Sequence, residues 1–393
     1  MNLLVLLPRV PYPLEKGDKL RAFYQIKELS KYHDIYLFAL QDGALHHEAL
    51  EKIKPYCKEI HIVKLTLFSK CRGIIRAFVK GLPMQCGFFY SHKAKRKIEK
   101  LIAKSYPDHI YCFMIRMAEY VKKYKECHKT LDYQDVLSIG MKRRYEKAAV
   151  FKKPVFLYEY QALKRYEKNI FSCFTNKTII TGIDRDMIPH PQKQYIHVIP
   201  NGIDFEKFNY VKKEKKYDLI FAGNMSYPPN VDAALFLAKS VFPKLLEKFP
   251  SLQLCICGVA PVPVIRTLDC DNIRVTGWVE DIADYYAQSA IFIAPMQLGT
   301  GLQNKLLEAM AMKLPSITSP LAGNPLEGAT HNQELLICNS VDEYVEAVSK
   351  LLTDKNFYKT IAENGYQFVK ANYDWEEIGK QLEEVVNEDV IIG

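Results

Sequence analysis

The sequence predicts an α/β protein of two domains, each built around a parallel sheet. Three observations carry that prediction. At 393 residues with 48% apolar content, the chain is too long for one ordinary core and apolar enough for two. Between Tyr217 and Ala294, short apolar runs ending at Gly or Pro alternate with helical patterns, which is how buried parallel strands and their crossovers look in sequence. The chain also opens on this theme, with an apolar run at 3–7, a loop and then a helical pattern.

Taken in order, the strand at 3–7 is stopped by Pro8 and feeds a loop over 8–19 that ends in Gly17-Asp18-Lys19, ahead of a helix over 20–31. Gly17 lets backbone approach a phosphate, and Lys19 and Arg21 could pair with a diphosphate or an acceptor phosphate. Asp18 reads as an acceptor contact or, equally, as the cap of the helix. Segments 64–80 and 93–104 interleave basic and apolar residues at helical spacing, which suits an interfacial helix, although the second reads as well as a solvated face. YCFMIRMAEYV places Arg116 after a strand, in reach of a carrier phosphate or of a surface carboxylate. TLDYQDVLSIG reads as a strand with a polar end, where Asp135 and Ser138 could meet an acceptor hydroxyl or bond nearby backbone in a turn. His109 precedes its strand and so points to the other end. A helix over 156–174 and a strand at TIITG close the first domain, assigned to 1–190.

After a linker near 189–195, HVIPNGID opens a second domain assigned to 196–370. It reads as strand YDLIFAGNM, a helix over 231–249, strand LQLCICG, a short helix over 263–268, strand IRVTGW, helix EDIADYYAQSA and strand IFIAP. Loops that follow parallel strands gather at one sheet edge, so Gly223-Asn224-Met225, Gly258, Gly277-Trp278-Val279 and Gly299-Thr300-Gly301 should share one crevice. GTGLQNKLLEAMAMKLP, at 299–315, is the most informative segment. Its glycines permit close approach, the helix that follows offers N–H groups to phosphate, and Lys305 adds a positive charge. Glu308, on the same helical side, could accept hydrogen bonds from vicinal hydroxyls such as those of a ribose. An ordinary amphipathic helix, with Leu306, Leu307, Met310 and Ala311 in the core and Lys305 and Glu308 solvated, explains the same pattern. Residues 371–393 are assigned to a terminal segment, in which a helix over 374–386 places Trp375, Ile378, Leu382 and Val385 on one face.

These motifs resemble the retaining glycosyltransferases of family 4, the group 1 glycosyltransferases with a GT-B fold, over nearly the whole chain. Four segments in order carry the resemblance: MNLLVLLPRVPYPLEKGDKLR, HVIPNGID, FAGNMSYPPN and KLLEAMAMKLPSITS. PYPLEKGDKLR and GLQNKLLEAMAM are most similar to a branch associated with bacterial exopolysaccharide or capsule synthesis. The resemblance implies two Rossmann-like domains facing a deep cleft, with the terminal helix crossing back to the first. It implies transfer of a sugar from a nucleoside diphosphate sugar to a hydroxyl of a glycan or lipid-linked saccharide, with retention of configuration and with neither cofactor nor metal.

In that reading Lys305 and the Gly17 loop offset charge on the departing diphosphate. Gly223, Asn224, Gly277, Val279, Thr300, Gly301, Leu302, Gln303, Asn304 and Glu308 hold the donor, while Asp18, Lys19, Arg21, Arg116, Asp135 and Ser138 meet the acceptor. The donor's own phosphate oxygen takes the acceptor proton, so no general base is assigned. Two departures stand out. Thr300 occupies the position, eight before Glu308, where relatives carry a first glutamate, and no Arg follows Gly223. The missing glutamate supports an alternative, a non-catalytic nucleotide-sugar or glycan binding protein on the same fold. An epimerase or phosphorylase-like enzyme is disfavoured, because no phosphorylase cofactor lysine motif is evident.

Charge divides the chain. Residues 1–195 hold 37 Lys and Arg against 19 Asp and Glu, a net +18, and residues 196–393 hold 17 against 26, a net −9. A strongly basic domain is the footprint of an anionic partner, and an anionic membrane surface suits an enzyme acting on a lipid-linked carrier. No nucleic-acid motif accompanies the charge, so nucleic acid is not expected. The 10 cysteines include no CxxC pair, and Cys255 and Cys257 sit in an apolar strand, which points to packing in a reducing cytoplasm. No apolar run reaches the roughly 18 residues of a membrane span, so the expected location is cytoplasmic, peripheral at the inner face of the plasma membrane.

Overall fold

The computed structural model describes residues 1–388 apart from Glu15, Gly299 and Thr300, with Lys147 described by its backbone only. The chain divides into two compact units, Met1–Pro200 with Glu376–Gly393, and Asn201–Trp375.

The first unit is built on seven strands: β1 (Asn2–Leu7), β2 (Asp34–Gln41), β3 (Glu59–Lys64), β4 (His109–Phe113), β5 (His128–Asp132), β6 (Asn176–Ile179) and β7 (His197–Val198). They lie in the order β3-β2-β1-β4-β5-β6-β7, all parallel. Leu3 pairs with Ile35 on one side and with His109 on the other, so β1 is central and its apolar run is buried throughout. Strand order reverses between β1 and β4, and the loops leaving Leu7 and Phe113 flank that switch point. The second unit repeats the plan with β8 (Tyr217–Ala222), β9 (Leu254–Cys257), β10 (Ile273–Gly277), β11 (Ser289–Ala294), β12 (Ser316–Thr318) and β13 (Leu336–Ile337), ordered β10-β9-β8-β11-β12-β13 and again parallel. Its switch point lies between β8 and β11. Open parallel sheets bind ligands outside the carboxyl ends of the strands at such points.

Three details differ from the sequence reading. HVIPNGID does not start the second unit: His197 and Val198 extend the first sheet by pairing with Thr178 and Ile179, and the division falls after Pro200. The helix expected over 231–249 runs from Pro228 to Lys248 but passes through a π turn at Leu237–Val241. Pro243 is the reason, since it has no N–H to give the turn before it and its ring crowds that carbonyl. The first-unit helix begins at Gly17, three residues before the expected start, and ends at Leu29, two before the expected end.

The helix Trp375–Asn387 buries Trp375, Ile378, Leu382 and Val385. Within the first unit a Cβ on Gly379 would come 2.5 Å from the Glu28 Cβ, and Asn176 Nδ2 donates to the Val385 carbonyl at 2.5 Å. No described helix is long and apolar enough to cross a membrane.

Candidate functional site

In the second unit the loop after β8 and the helix Asn304–Ala311 meet at the switch point. Leu306, Leu307, Met310 and Ala311 anchor that helix in the core, which leaves Lys305 and Glu308 partly buried on the opposite side. Lys305 Nζ donates to Asn230 Oδ1 at 2.5 Å, contacts Met296 Sδ at 3.5 Å and lies 4.8 Å from the centre of the Phe221 ring. It makes no ion pair among the described residues. Burial pushes its pKa down to about 7. Burial also raises the Glu308 pKa, and Glu308 Oε2 accepts the Tyr286 hydroxyl at 3.1 Å.

Two glycines make this arrangement possible. A Cβ on Gly223 would sit 2.7 Å from Asn230 Nδ2, so the glycine admits the amide that orients Lys305. A Cβ on Gly258, at φ +145°, would fall 1.7 Å from the Gly223 carbonyl oxygen, so the loops after β8 and β9 touch only because neither carries a side chain there.

The other expected donor residues group as follows. Asn304 opens the helix, and its Oδ1 accepts Asn201 Nδ2 at 3.1 Å. Gln303 is in the capping position without a side-chain cap; its carbonyl accepts the Leu306 N–H at 2.9 Å, and the Asn304 and Lys305 N–H groups lie ahead of the helix's own ladder. Gly301 has a left-handed φ of 72° and Leu302 packs against the core. Asn224 is exposed, and its Oδ1 accepts the Ser226 N–H and hydroxyl at 2.9 and 2.7 Å, which fixes the turn. Gly277 and exposed Trp278 line a cavity of about 460 Å³ with Ala260, Pro261 and Thr276, while Val279 leans on the core. Thr300 lies outside the described residues.

In the first unit the expected acceptor residues separate into two groups. Arg21 is fully buried, with Nε 2.7 Å from Asp132 Oδ2 and Nη1 3.2 Å from the Pro200 carbonyl. Asp132 also accepts Gln25 Nε2, the Tyr111 hydroxyl and the Gln134 N–H. Arg21 is therefore a core ion pair and has no surface to offer a ligand. Ser138 is equally unsuited: it lies in the helix Leu137–Lys147, is buried, and its N–H donates to Glu167 Oε1 at 2.9 Å. Asp18 does not cap its helix, whose capping residue is Lys16; its carboxylate pairs with Arg9 Nη1 at 2.6 Å.

The remaining expected residues stay accessible near the switch point. Gly17 is exposed with open space around it. Lys19 Nζ donates to the Tyr12 carbonyl at 3.2 Å. Arg116 Nη2 donates to Gln85 Oε1 at 2.7 Å, and its guanidinium lies 5.2 Å from the Phe89 ring, a ring that Arg9 also approaches at 5.9 Å. Burial and then the charge of Arg9 lower the Arg116 pKa. The partly exposed Asp135 carboxyl accepts no hydrogen bond among the described residues, and burial with the nearby Asp184 raises its pKa to about 6.

Sequence reasoning missed Asn230, Tyr286, Arg9 and Asp132. The first two lie 75 and 22 residues from their partners, a separation only the fold closes. Asp132 carried a signal, an acid at the carboxyl end of the strand His128–Asp132, where such sheets meet their ligands.

Residues 216–354 match the family described as glycosyl transferases group 1. The whole chain is 24% identical over 398 residues to a 44.6 kDa protein in the cps region of Klebsiella pneumoniae, covering 95% of this chain and 96% of that one. A GDP-mannose-dependent alpha-(1-6)-phosphatidylinositol monomannoside mannosyltransferase of Mycobacterium tuberculosis is 25% identical over 222 residues, 49% of this chain and 56% of its own. Among solved structures, HepE of Anabaena in complex with UDP and glucose superimposes with a TM-score of 0.69 at 13% identity, covering 98% of this chain and 100% of HepE. The matched segment spans all six strands of the second sheet, and the likeness to HepE shows the GT-B fold over the length of the chain.

Proposed function

We propose that the protein is a retaining, metal-independent glycosyltransferase of bacterial surface polysaccharide synthesis, moving a hexose from a nucleoside diphosphate sugar to a hydroxyl of a glycan or lipid-linked saccharide. The observation that carries this reading is Lys305, a lysine oriented by a neutral amide, beside the open start of a helix at the sheet's switch point. A diphosphate there meets one full charge and several N–H donors, which together offset the charge that develops as the sugar departs. Glu308, held by Tyr286, is set to accept hydroxyls of the ribose, and the cavity at Gly277 and Trp278 has room for the base. HepE's complex with UDP and glucose and the cps-region relative support the donor class and the pathway.

In the first unit, Arg116 and Asp135 are the accessible polar groups suited to a carrier phosphate and an acceptor hydroxyl, and Gly17 leaves backbone open beside them. The net +18 of residues 1–195 supports work at an anionic membrane surface. A thermal-shift panel of the purified chain against UDP-, GDP- and ADP-linked sugars tests the donor site, because a ligand of the folded state raises the melting temperature. A shift with one nucleotide class is expected; no shift with any would count for the non-catalytic alternative or a different ligand.

A further inference from the structure

The helix Leu67–Val79 is built inside out. Its buried face carries small residues: a Cβ on Gly73 would stand 2.0 Å from the Gly87 carbonyl oxygen, and Ala77 is fully buried. Its large apolar residues point to solvent instead, with Leu67, Phe68, Ile75, Phe78 and Val79 each 62–79% exposed. Phe78 touches Tyr158 at 5.3 Å between ring centres, and from there the exposed Val155, Phe151 and Val150 continue the apolar surface. Exposed apolar area of this kind on one face marks a binding surface.

A cavity of about 170 Å³ lies against the same helix where it meets the helix His92–Ser105, and Arg72, Arg76, His92 and Lys93 line it together with Ser69 and Tyr90. Arg76 stacks over the Tyr90 ring at 3.9 Å and reaches Glu119 with Nη2 at 3.4 Å, while its buried Nη1 has no hydrogen-bond partner among the described residues. Arg72, His92 and Lys93 form no ion pair among the described residues. Arg72, Arg76 and Lys93 are thus the cations at the cavity itself, with Glu119 paired to Arg76, while Lys95 lies outside it and pairs with Glu99 at 3.6 Å.

We propose that this cavity binds the phosphoryl headgroup of an anionic bilayer lipid while the outward apolar face of Leu67–Val79 enters the interface. The proposal deepens the membrane reading above and rests on it. Cationic side chains beside a hydroxyl suit a phosphate, and an amphipathic helix rimmed by Lys and Arg inserts its apolar face at the headgroup level.

The test is co-sedimentation of the full chain with phosphatidylcholine vesicles, with and without phosphatidylglycerol, for the wild type, Arg72→Ala/Lys93→Ala and Ile75→Ser/Phe78→Ser. All four substituted positions are exposed, so melting temperatures and donor-induced shifts should match wild type, and a failed donor site would leave the lipid result unaffected. Each basic residue near an anionic surface contributes about fivefold in partitioning, so the double alanine variant should bind roughly 25-fold more weakly to the anionic vesicles. The serine variant should lose binding as well. Equal partitioning of the alanine variant and wild type, or equal binding to neutral and anionic vesicles, overturns the proposal. So does stabilisation by inorganic phosphate without vesicle binding, which would make the cavity a free-anion site.

Discussion

Raising the pH from 6 to 8 should weaken nucleotide-sugar binding through Lys305 alone. In the unliganded protein its pKa is depressed to about 7, because burial of Nζ outweighs the opposing pull of the Glu308 charge, which forms no ion pair with it. A bound diphosphate favours the charged ammonium and raises that pKa, so above pH 7 binding must take up a proton. About nine molecules in ten are charged at pH 6 and about one in ten at pH 8, which makes the apparent Kd roughly tenfold weaker at the higher pH, or about 1.4 kcal/mol. The diphosphate of a nucleotide sugar is a diester without an ionisation in this window, so the slope belongs to the protein. Isothermal titration in two buffers of different ionisation enthalpy measures both the affinity and the proton uptake. Lys305→Ala should bind more weakly and without this slope, and Lys305→Arg should also be flat because its guanidinium stays charged. An unchanged slope in Lys305→Ala would refute the assignment.

Three further substitutions separate roles. Glu308→Gln keeps an acceptor for Tyr286 and so should fold normally, but a neutral amide accepts ribose hydroxyls less strongly and Kd should rise roughly tenfold; an unchanged Kd would remove the ribose role. Arg21→Ala leaves Asp132 buried without its cation and should cost about 3–5 kcal/mol in denaturant unfolding. Normal stability with only a raised acceptor KM would restore Arg21 to the acceptor site. Gly258→Ala drives a methyl into the Gly223 carbonyl at a φ that costs about 1–3 kcal/mol in backbone strain alone, so melting temperature and donor binding should fall together. A variant with wild-type melting would show that the two loops can separate freely.

The alternation of apolar runs with Gly stops made most strands readable, because a buried parallel strand needs little beyond continuous apolar residues and a turn. The short β7, at HVIPNGID, was given to the wrong unit, because its two half-buried residues, His197 and Val198, carry no sign of which sheet they join. In the candidate site, Lys305 and Glu308 were legible from their spacing on one helix. The residues that set their chemistry were not, since Asn230 and Tyr286 come from other helices and reach the site only through the packing of β8 and β11. Arg21 and Ser138 were misplaced for a related reason. Arg21 in the first turns of a helix and Ser138 beyond a strand look available until the fold shows a buried acid beside each, Asp132 for one and Glu167 for the other.

The choice of partner for Lys305 bears on how the site works. A carboxylate within salt-bridge distance would hold the lysine charged at all working pH values, but it would also cancel most of the field that a diphosphate meets. Asn230 orients Nζ through a neutral oxygen, which fixes geometry without cancelling charge. The nearest acid on the same helix, Glu308, is engaged by the Tyr286 hydroxyl and makes no ion pair with Lys305, so it stays available for hydroxyl groups. Keeping the cation and the acid apart costs the free protein a partly neutral lysine, visible in the depressed pKa. The compensation arrives only with an anion. Transfer then changes the charge next to Lys305 from a diphosphate diester to a free diphosphate, which carries one more negative charge and interacts more strongly with the protonated lysine. That difference favours the departing state over the bound donor, which is the direction an electrostatic contribution to catalysis requires.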